Sequence, residues 1–326
     1  MLSIDNNRYD EFIVVAPGSD YGMNMWYDVS AVQNARLLSA AVDSGNLIID
    51  TLHHIHFSFL LNKRLDLPFQ RIWRRKYSVE SIHLDPGKKY CIVYTDISAC
   101  RTDLDYLDDL HHKSNVTMVL FMVNEVKKKK RLVLSRLYCF NYVFSSFHND
   151  VDAYGLRYYP TVLSKLPVPG EINRTFDAFF VGNSNGRRQI VMSIASFFDK
   201  HSIDYEFFLK GVPRAEQVNK KIHYNHSLPY SKVLEYDKAA NCVVEVIAAN
   251  NMNLTLRVME AIIYNKKLLT NNGVVKELPY FKSGYISLFN NVEDIDVKFV
   301  KDRAQVNYHY QGEYSPIKFL EHLTSL

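Results

Sequence analysis

No stretch of this 326-residue chain approaches the ~20 consecutive apolar residues that a membrane-spanning helix needs. The first apolar run, Phe12–Ala16, follows Asp5, Asp10 and Glu11 and is too short for the core of a signal peptide. Cysteine is scarce. Its four residues, Cys91, Cys100, Cys139 and Cys242, stand singly without CxxC spacing, which excludes a disulfide framework and a zinc ribbon. Charge of one sign is also lacking: 39 Lys and Arg against 35 Asp and Glu leave a net +4, too little to argue for nucleic acid. There is no GxGxxG, no Walker loop, no short-period repeat and no low-complexity tract. Cytoplasmic placement and reduced core cysteines are the expectation.

What is present is ordinary for folded protein: 47% apolar, 23% charged, mean hydropathy −0.18. Disorder is therefore excluded over any large part of the chain. The 22 Tyr and 19 Phe suit buried rings and flat ligands, or equally a codon bias. Two basic clusters, Arg74–Lys76 and Lys127–Arg131, read either as solvated faces or as contacts with an anionic membrane surface or a pyrophosphate-bearing lipid.

Short apolar runs at Phe12–Ala16, Tyr90–Tyr94, Thr117–Val123 and Tyr142–Phe144 read as buried parallel strands. Between the first two, Val32, Ala35, Leu38 and Val42 recur at helical spacing, and Leu47–Ile49 is a weaker strand or an extension of that element. A polar helix is expected at 104–112. Turn residues Pro160, Pro167, Pro169 and Gly170 mark a linker. The alternation then restarts: strand Ala178–Val181, helix Arg187–Lys200, strand Tyr205–Leu209, helix Tyr230–Ala240, strand Cys242–Ile247, helix Leu254–Asn265, strands Lys267–Thr270 and Ile286–Leu288, and a last helix Pro316–Leu323. Strands alternating with helices imply parallel α/β sheets. The expected domains are residues 1–165 and 166–326, both Rossmann-like, with the last helix free to return to the first.

Ligands of open α/β sheets bind beyond the carboxyl ends of the strands. Three places in the second half qualify. Gly182–Gly186 is a small-residue turn that includes Asn183 and leads into Arg187 and Arg188 at a helix start. Backbone N–H groups and bidentate arginines there suit a phosphate, or the segment is a plain βα turn. Asn253, Arg257 and Glu260 share a helix face, near Thr255; Arg257 could neutralise a diphosphate and Glu260 could accept from ribose hydroxyls, or the two form a surface ion pair. Lys210, after a strand, could wall a nucleobase. In the first half Asp20 and Asp96 each follow a strand and could take an acceptor proton as general base, or simply form turns. Asp103-Leu-Asp105 reads as a helix start, not a metal motif. His53, His54 and His56 splay around a helix and read as structural.

The run Leu254–Asn272 resembles the G-x-T-x-R-x-x-E-A-L…G-K-K-L-I-T-N-N segment of bacterial surface-polysaccharide glycosyltransferases, of the lipopolysaccharide-core and capsule type. Asp177–Arg188 is similar to the D-x-x-F-x-G-x-x-K-x-R opening of their donor domain; Leu67–Trp73 and Asp152–Pro160 also look like family segments. The resemblance covers roughly residues 60–290. It implies a GT-B fold, two Rossmann-like domains facing across a cleft, with the acceptor on the N-terminal domain. It implies a UDP- or GDP-linked sugar held by Arg187 or Arg188, Arg257 and Thr255, with Glu260 on the ribose, no metal or other cofactor, and no nucleic acid. The product would be a cell-surface glycan. Leu254 stands where the family has glycine, which leaves open a non-catalytic sugar- or lipid-binding subunit of a polysaccharide assembly complex. A nicotinamide-dependent oxidoreductase is disfavoured by the missing GxGxxG.

Overall fold

The computed structural model describes residues 2–326 apart from 5–6, 43, 59–60, 64–66, 169, 171, 173 and 249–252, and the side chains of 63 and 128–130 also fall outside the description. The expected linker residue Pro169 therefore lies outside the described residues, as do the side chains of Lys128, Lys129 and Lys130. The chain divides into two compact units, residues 1–166 with 314–326, and residues 167–313.

In the first unit β1 (Glu11–Ala16), β2 (Ala35–Ser39), β3 (Tyr90–Thr95), β4 (Val116–Met122), β5 (Tyr142–Ser145) and β6 (Arg157–Tyr158) form one sheet in the order β2-β1-β3-β4-β5-β6. All neighbours run parallel. Every residue of β1 and β3 is buried, which is why those runs are apolar without alternation. Order reverses between β1 and β3, so their carboxyl ends flank this sheet's switch point.

The second unit repeats the design with β7 (Phe176–Asn183), β8 (Tyr205–Lys210), β9 (Ile222–Tyr224), β10 (Ala240–Glu245), β11 (Lys267–Thr270) and β12 (Ile286–Leu288), ordered β12-β11-β10-β7-β8-β9 and again all parallel. Its switch point lies between β7 and β10. Helix Arg188–Lys200 buries Val191, Ile194, Ala195 and Phe198, one apolar stripe at 3.6-residue spacing.

Two expectations are corrected. Val32–Val42 is not helical: residues 35–39 are the edge strand β2, in register with β1 from Phe12↔Ala35 to Ala16↔Ser39. The Asn34 side chain pins its start, accepting from Ile4 N at 3.0 Å and donating to Ile4 O at 2.9 Å. Conversely, Leu47–Ile49 opens a helix, Leu47–His56, because the Asn46 carboxamide caps Ile48 N and Ile49 N. The short edge strands β6 and β9 escape a reading by apolar runs altogether.

The last helix, Pro316–Thr324, belongs to the first unit. Ser315 caps it and donates to Asp28 Oδ2 at 3.1 Å, while Leu163 N donates to Tyr314 O at 2.7 Å. Phe319 is fully buried, edge-on to Phe121 at 4.9 Å, Phe144 at 5.2 Å and Trp26 at 6.0 Å. Phe319→Ala should therefore cost about 3–5 kcal/mol, read from chemical unfolding. A loss under about 1 kcal/mol would show that this aromatic cluster repacks around the gap.

Candidate functional site

At the second switch point β7 ends in Gly182 and Asn183, and the chain turns through Ser184 into the helix that starts at Arg188. Ser184 ties the turn to the end of β8: its N donates to Lys210 O and its Oγ to Gly211 O, each at 2.7 Å. Arg187 folds back over the strand end. Its Nε donates to Asn183 O at 2.6 Å and its Nη1 to Val246 O at 2.7 Å, bridging β7 to the residue after β10. A Cβ on Gly182 would come within 2.5 Å of Arg187 Nη2, so a side chain there would push the guanidinium from this position. Phe180 lies beneath it, 5.7 Å away.

Sequence reasoning missed Glu245, the last residue of β10. It is 1% exposed, and its two oxygens accept from the hydroxyls of Thr255 and Thr270, with Asn272 Nδ2 at 3.4 Å. Burial raises its pKa, against which the hydroxyls, the Asn272 amide and the Arg187 charge pull down. Asn272 Nδ2 also donates to Asn253 O at 3.0 Å. These bonds gather the ends of β10 and β11 around residue 255, where helix Leu256–Ile263 begins. Thr255 occupies the N-cap; its hydroxyl donates to Glu245 and its side chain makes no cap bond.

Arg257 and Glu260 do come together, but on each other. Arg257 Nη2 pairs with Glu260, and Nη1 reaches Asp237 Oδ1 at 3.0 Å and Oδ2 at 3.3 Å. Asp237 is the second group missed from sequence, twenty positions away on helix Tyr230–Ala239. Both carboxyls are buried. Burial drives Glu260 up to about 8 and Asp237 also upward, each held back by Arg257. With its donors taken up by these two carboxyl groups, Arg257 has few left for a phosphate, and Glu260 is 1% exposed. Arg188 pairs with Glu216, and Lys210 Nζ donates to Ser227 Oγ at 2.9 Å. Of the expected donor-site cations, Arg187 is thus the one set at the switch point without a contacting carboxylate among the described residues.

In the first unit Asp20 and Asp96 flank the β1/β3 switch point but differ in setting. Asp20 is exposed at the start of the short helix Asp20–Met25, accepting from Asn24 Nδ2 at 2.8 Å. Asp96 is 1% exposed and holds the end of β4, accepting from Val123 N at 2.9 Å and Asn124 Nδ2 at 3.1 Å. Asp103 likewise serves structure, accepting from Arg74 Nε at 3.0 Å. His56 is bonded to Pro68 O and Trp73 Nε1. Among the described residues no group of three or more His, Cys, Asp or Glu could hold a metal ion.

No protein-family model matches the chain, and no curated protein matches it. Solved structures do. An α-glucosyltransferase in complex with UDP-glucose and DNA containing an abasic site is 12% identical, with 97% of this chain and 98% of that one covered and a TM-score of 0.58. A UDP-N-acetylglucosamine 2-epimerase from Rickettsia bellii is 11% identical over 100% and 94% of the two chains, with a TM-score of 0.47. An α,α-trehalose-phosphate synthase (UDP-forming) from Burkholderia vietnamiensis is 9% identical over 97% and 93%, also at 0.47. The first of these likenesses, with the two six-stranded parallel sheets, makes the fold GT-B: α/β, with two Rossmann-like domains.

The buried Asp237–Arg257–Glu260 triad has a pH signature. An acid whose folded pKa of about 8 exceeds its unfolded 4.5 binds more protons when folded, so its contribution to stability is complete below pH 4.5 and is lost as pH rises through 8. The melting temperature of wild type minus that of Glu260→Gln should therefore fall across that window. Parallel profiles would show that Glu260 ionises freely in the fold.

Proposed function

We propose that the chain is a glycosyltransferase that moves a sugar from a UDP- or GDP-linked donor to a growing cell-surface glycan. The observation that carries this reading is the placement of Arg187 at the β7/β10 switch point, near the start of helix Leu256–Ile263, whose N-cap residue Thr255 makes no side-chain cap bond. Developing negative charge on a leaving diphosphate would meet a fixed guanidinium and oriented backbone N–H groups, with no metal or other cofactor required. Asn183 and Thr255 would border the diphosphate, and Lys210 would stand beside the base. Arg257 and Glu260 would shape the ribose side of the pocket from their ion pair. The UDP-glucose in the α-glucosyltransferase supports a nucleotide-sugar donor. The resemblance of Leu254–Asn272 to surface-polysaccharide enzymes supports the glycan acceptor. If the anomeric centre inverts, exposed Asp20 is better placed than Asp96 to accept the acceptor's proton, because both Asp96 oxygens already bind the end of β4.

A peripheral membrane setting in the cytoplasm belongs to this reading. No helix among the described residues is long and apolar enough to cross a membrane. Helix Leu47–His56, however, turns Leu47, Ile48, Leu52 and Ile55 to solvent, at 83%, 71%, 53% and 47% exposure. Exposed Phe69 and Ile72 follow, on a segment joined to this helix by the 3.0 Å bond from Trp73 Nε1 to His56 Nδ1. Arg75 and Lys76 are exposed nearby, whereas Arg74 is taken up by Asp103 and Asp109 and Lys127 by Glu125. Apolar and basic groups side by side suit an anionic lipid surface.

The donor site is tested by thermal shift with UDP, GDP and CMP. A nucleotide at 100 times its dissociation constant stabilises by about 2.7 kcal/mol. Loss of a charge-assisted bond in Arg187→Ala should weaken that nucleotide roughly 10- to 100-fold, and Gly182→Ala should weaken it by displacing the guanidinium. No shift with any nucleotide would sink the donor site; binding without sugar transfer would favour the non-catalytic subunit. For the membrane, Leu52→Glu should abolish sedimentation with phosphatidylglycerol vesicles, and Lys76→Ala should weaken it about fivefold, near 1 kcal/mol. Unchanged sedimentation of Leu52→Glu would rule this helix out as the contact.

A further inference from the structure

Two adjoining cavities of about 250 and 180 Å³ open in the first unit and share His54, Phe57 and Arg101 as walls. The larger adds Ser58, Ile97, Cys100 and Leu132; the smaller adds Ala41, Val42, Asp50 and His53. Ala41 and Val42 follow β2 and Ile97 to Arg101 follow β3, so both cavities lie at the carboxyl edge of the sheet, where ligands of such sheets bind. The loop after β1 is beside them: Gly18 rests on Ala41 so closely that any Cβ would overlap it, which brings the Asp20 loop to the same edge.

Two polar groups here lack the partners their kind usually has. Arg101 is half-buried, and among the described residues no side-chain hydrogen bond or ion pair engages its guanidinium; burial lowers its pKa and no carboxylate raises it again. Arg74, Arg136, Arg187 and Arg257 all bind carboxylates or carbonyls. His53 is 5% exposed and its Nε2 has no hydrogen-bond partner among the described residues. Its ring is wedged against Phe57 at 4.8 Å and Trp73 at 5.0 Å, which fixes its orientation. Burial and the Arg101 charge hold it down to about 4, so it is a neutral imidazole at neutral pH. The carboxylate lining the smaller cavity, Asp50, is turned to Ser44, accepting from N at 2.9 Å and Oγ at 2.7 Å.

We propose that this cavity binds a phosphate group of the acceptor, with Arg101 as the charged fork, His53, His54 and Ser58 as further hydrogen-bonding groups, and Phe57, Ile97 and Leu132 against the adjoining carbon skeleton. It rests on the transferase reading for the word acceptor, but not for the binding itself. A planar guanidinium with several further polar groups matches an anion with three free oxygens better than a carboxylate with two. The volume is below the ~300–1,000 Å³ of drug-sized sites and suits one small group. The phosphate could belong to a soluble phosphorylated saccharide or to a lipid headgroup, since the helix that buries His53 and lends His54 to both cavities carries Leu52 and Ile55 outward.

The full chain is titrated with phenyl phosphate by calorimetry, as wild type, Arg101→Ala, Arg101→Lys and Arg187→Ala. Saturable binding is expected in wild type, weakened at least about tenfold in Arg101→Ala, partly restored in Arg101→Lys and unchanged in Arg187→Ala. Equal affinity in Arg101→Ala at wild-type melting temperature, or no saturable binding in wild type, overturns the proposal. Loss in Arg187→Ala alone would assign the phosphate to the donor site and overturn it too. A UDP thermal shift run on wild type judges the donor site separately. Phosphatidylcholine vesicles with and without phosphatidic acid distinguish the sources: a preference for phosphatidic acid lost in Arg101→Ala marks a lipid phosphate, and phenyl phosphate binding without that preference marks a soluble one.

Discussion

A carboxylate buried at the end of a parallel strand must find its hydrogen bonds where it stands, and Glu245 finds them in the two threonine hydroxyls of Thr255 and Thr270 and the amide of Asn272. Left unpaired, such a charge would cost several kcal/mol, so the chain around it has little freedom. β11 must end at Thr270 beside β10, and the loop that leaves β10 must return so that residue 255 meets Glu245. The start of helix Leu256–Ile263 is thereby fixed at the strand ends. The Thr255 hydroxyl at its N-cap donates to Glu245 and makes no cap bond. One interaction thus positions the helix terminus at the strand ends.

Charge around the site then sorts itself by pairing. Arg257 sits between Asp237 and Glu260, and the rise in both carboxyl pKa values reflects the cost of keeping two acids on one base out of water. Arg187 is treated differently. Its donors go to the carbonyls of Asn183 and Val246, which orient it without neutralising it, while Glu245 acts on it through space. The Arg187 donors rest on neutral carbonyls, whereas those of Arg257 are taken up by two buried carboxyl groups. The two arginines that looked alike in sequence are thus unlike in what they can offer an anion.

Much of the architecture was legible because burial on both faces leaves a plain mark. Phe12–Ala16, Tyr90–Tyr94 and Met118–Met122 are apolar runs since successive residues, which point to opposite faces of the sheet, are all buried. β2 failed that test as an edge strand: Ala35 is buried, Arg36 exposed, and Leu37 to Ser39 only half-buried, so its pattern passed for a helix. The Leu47–His56 helix was misread because its outward face is apolar, the reverse of the usual rule. In the site, Arg187 and Thr255 could be found from local context, a turn and a helix start. Glu245 and Asp237 could not, because their partners lie 10 to 25 positions away and only the fold brings them into contact.

The first unit shows how the same kind of position can serve structure or chemistry. Asp20 and Asp96 both follow central strands at a switch point. Asp96 starts a short helix beside the interior strand β4, so its carboxyl is buried and draws in Val123 N and Asn124. Asp20 follows β1, whose loop is pressed against Ala41 by the absence of a side chain at Gly18, and it is left exposed. Arg101 completes the contrast. It follows β3 by six positions, has no carboxylate or carbonyl on its guanidinium among the described residues, and lines one cavity with His53. A cation left uncompensated beside a neutral imidazole is costly for a fold to keep, and the cost is recovered when an anion enters.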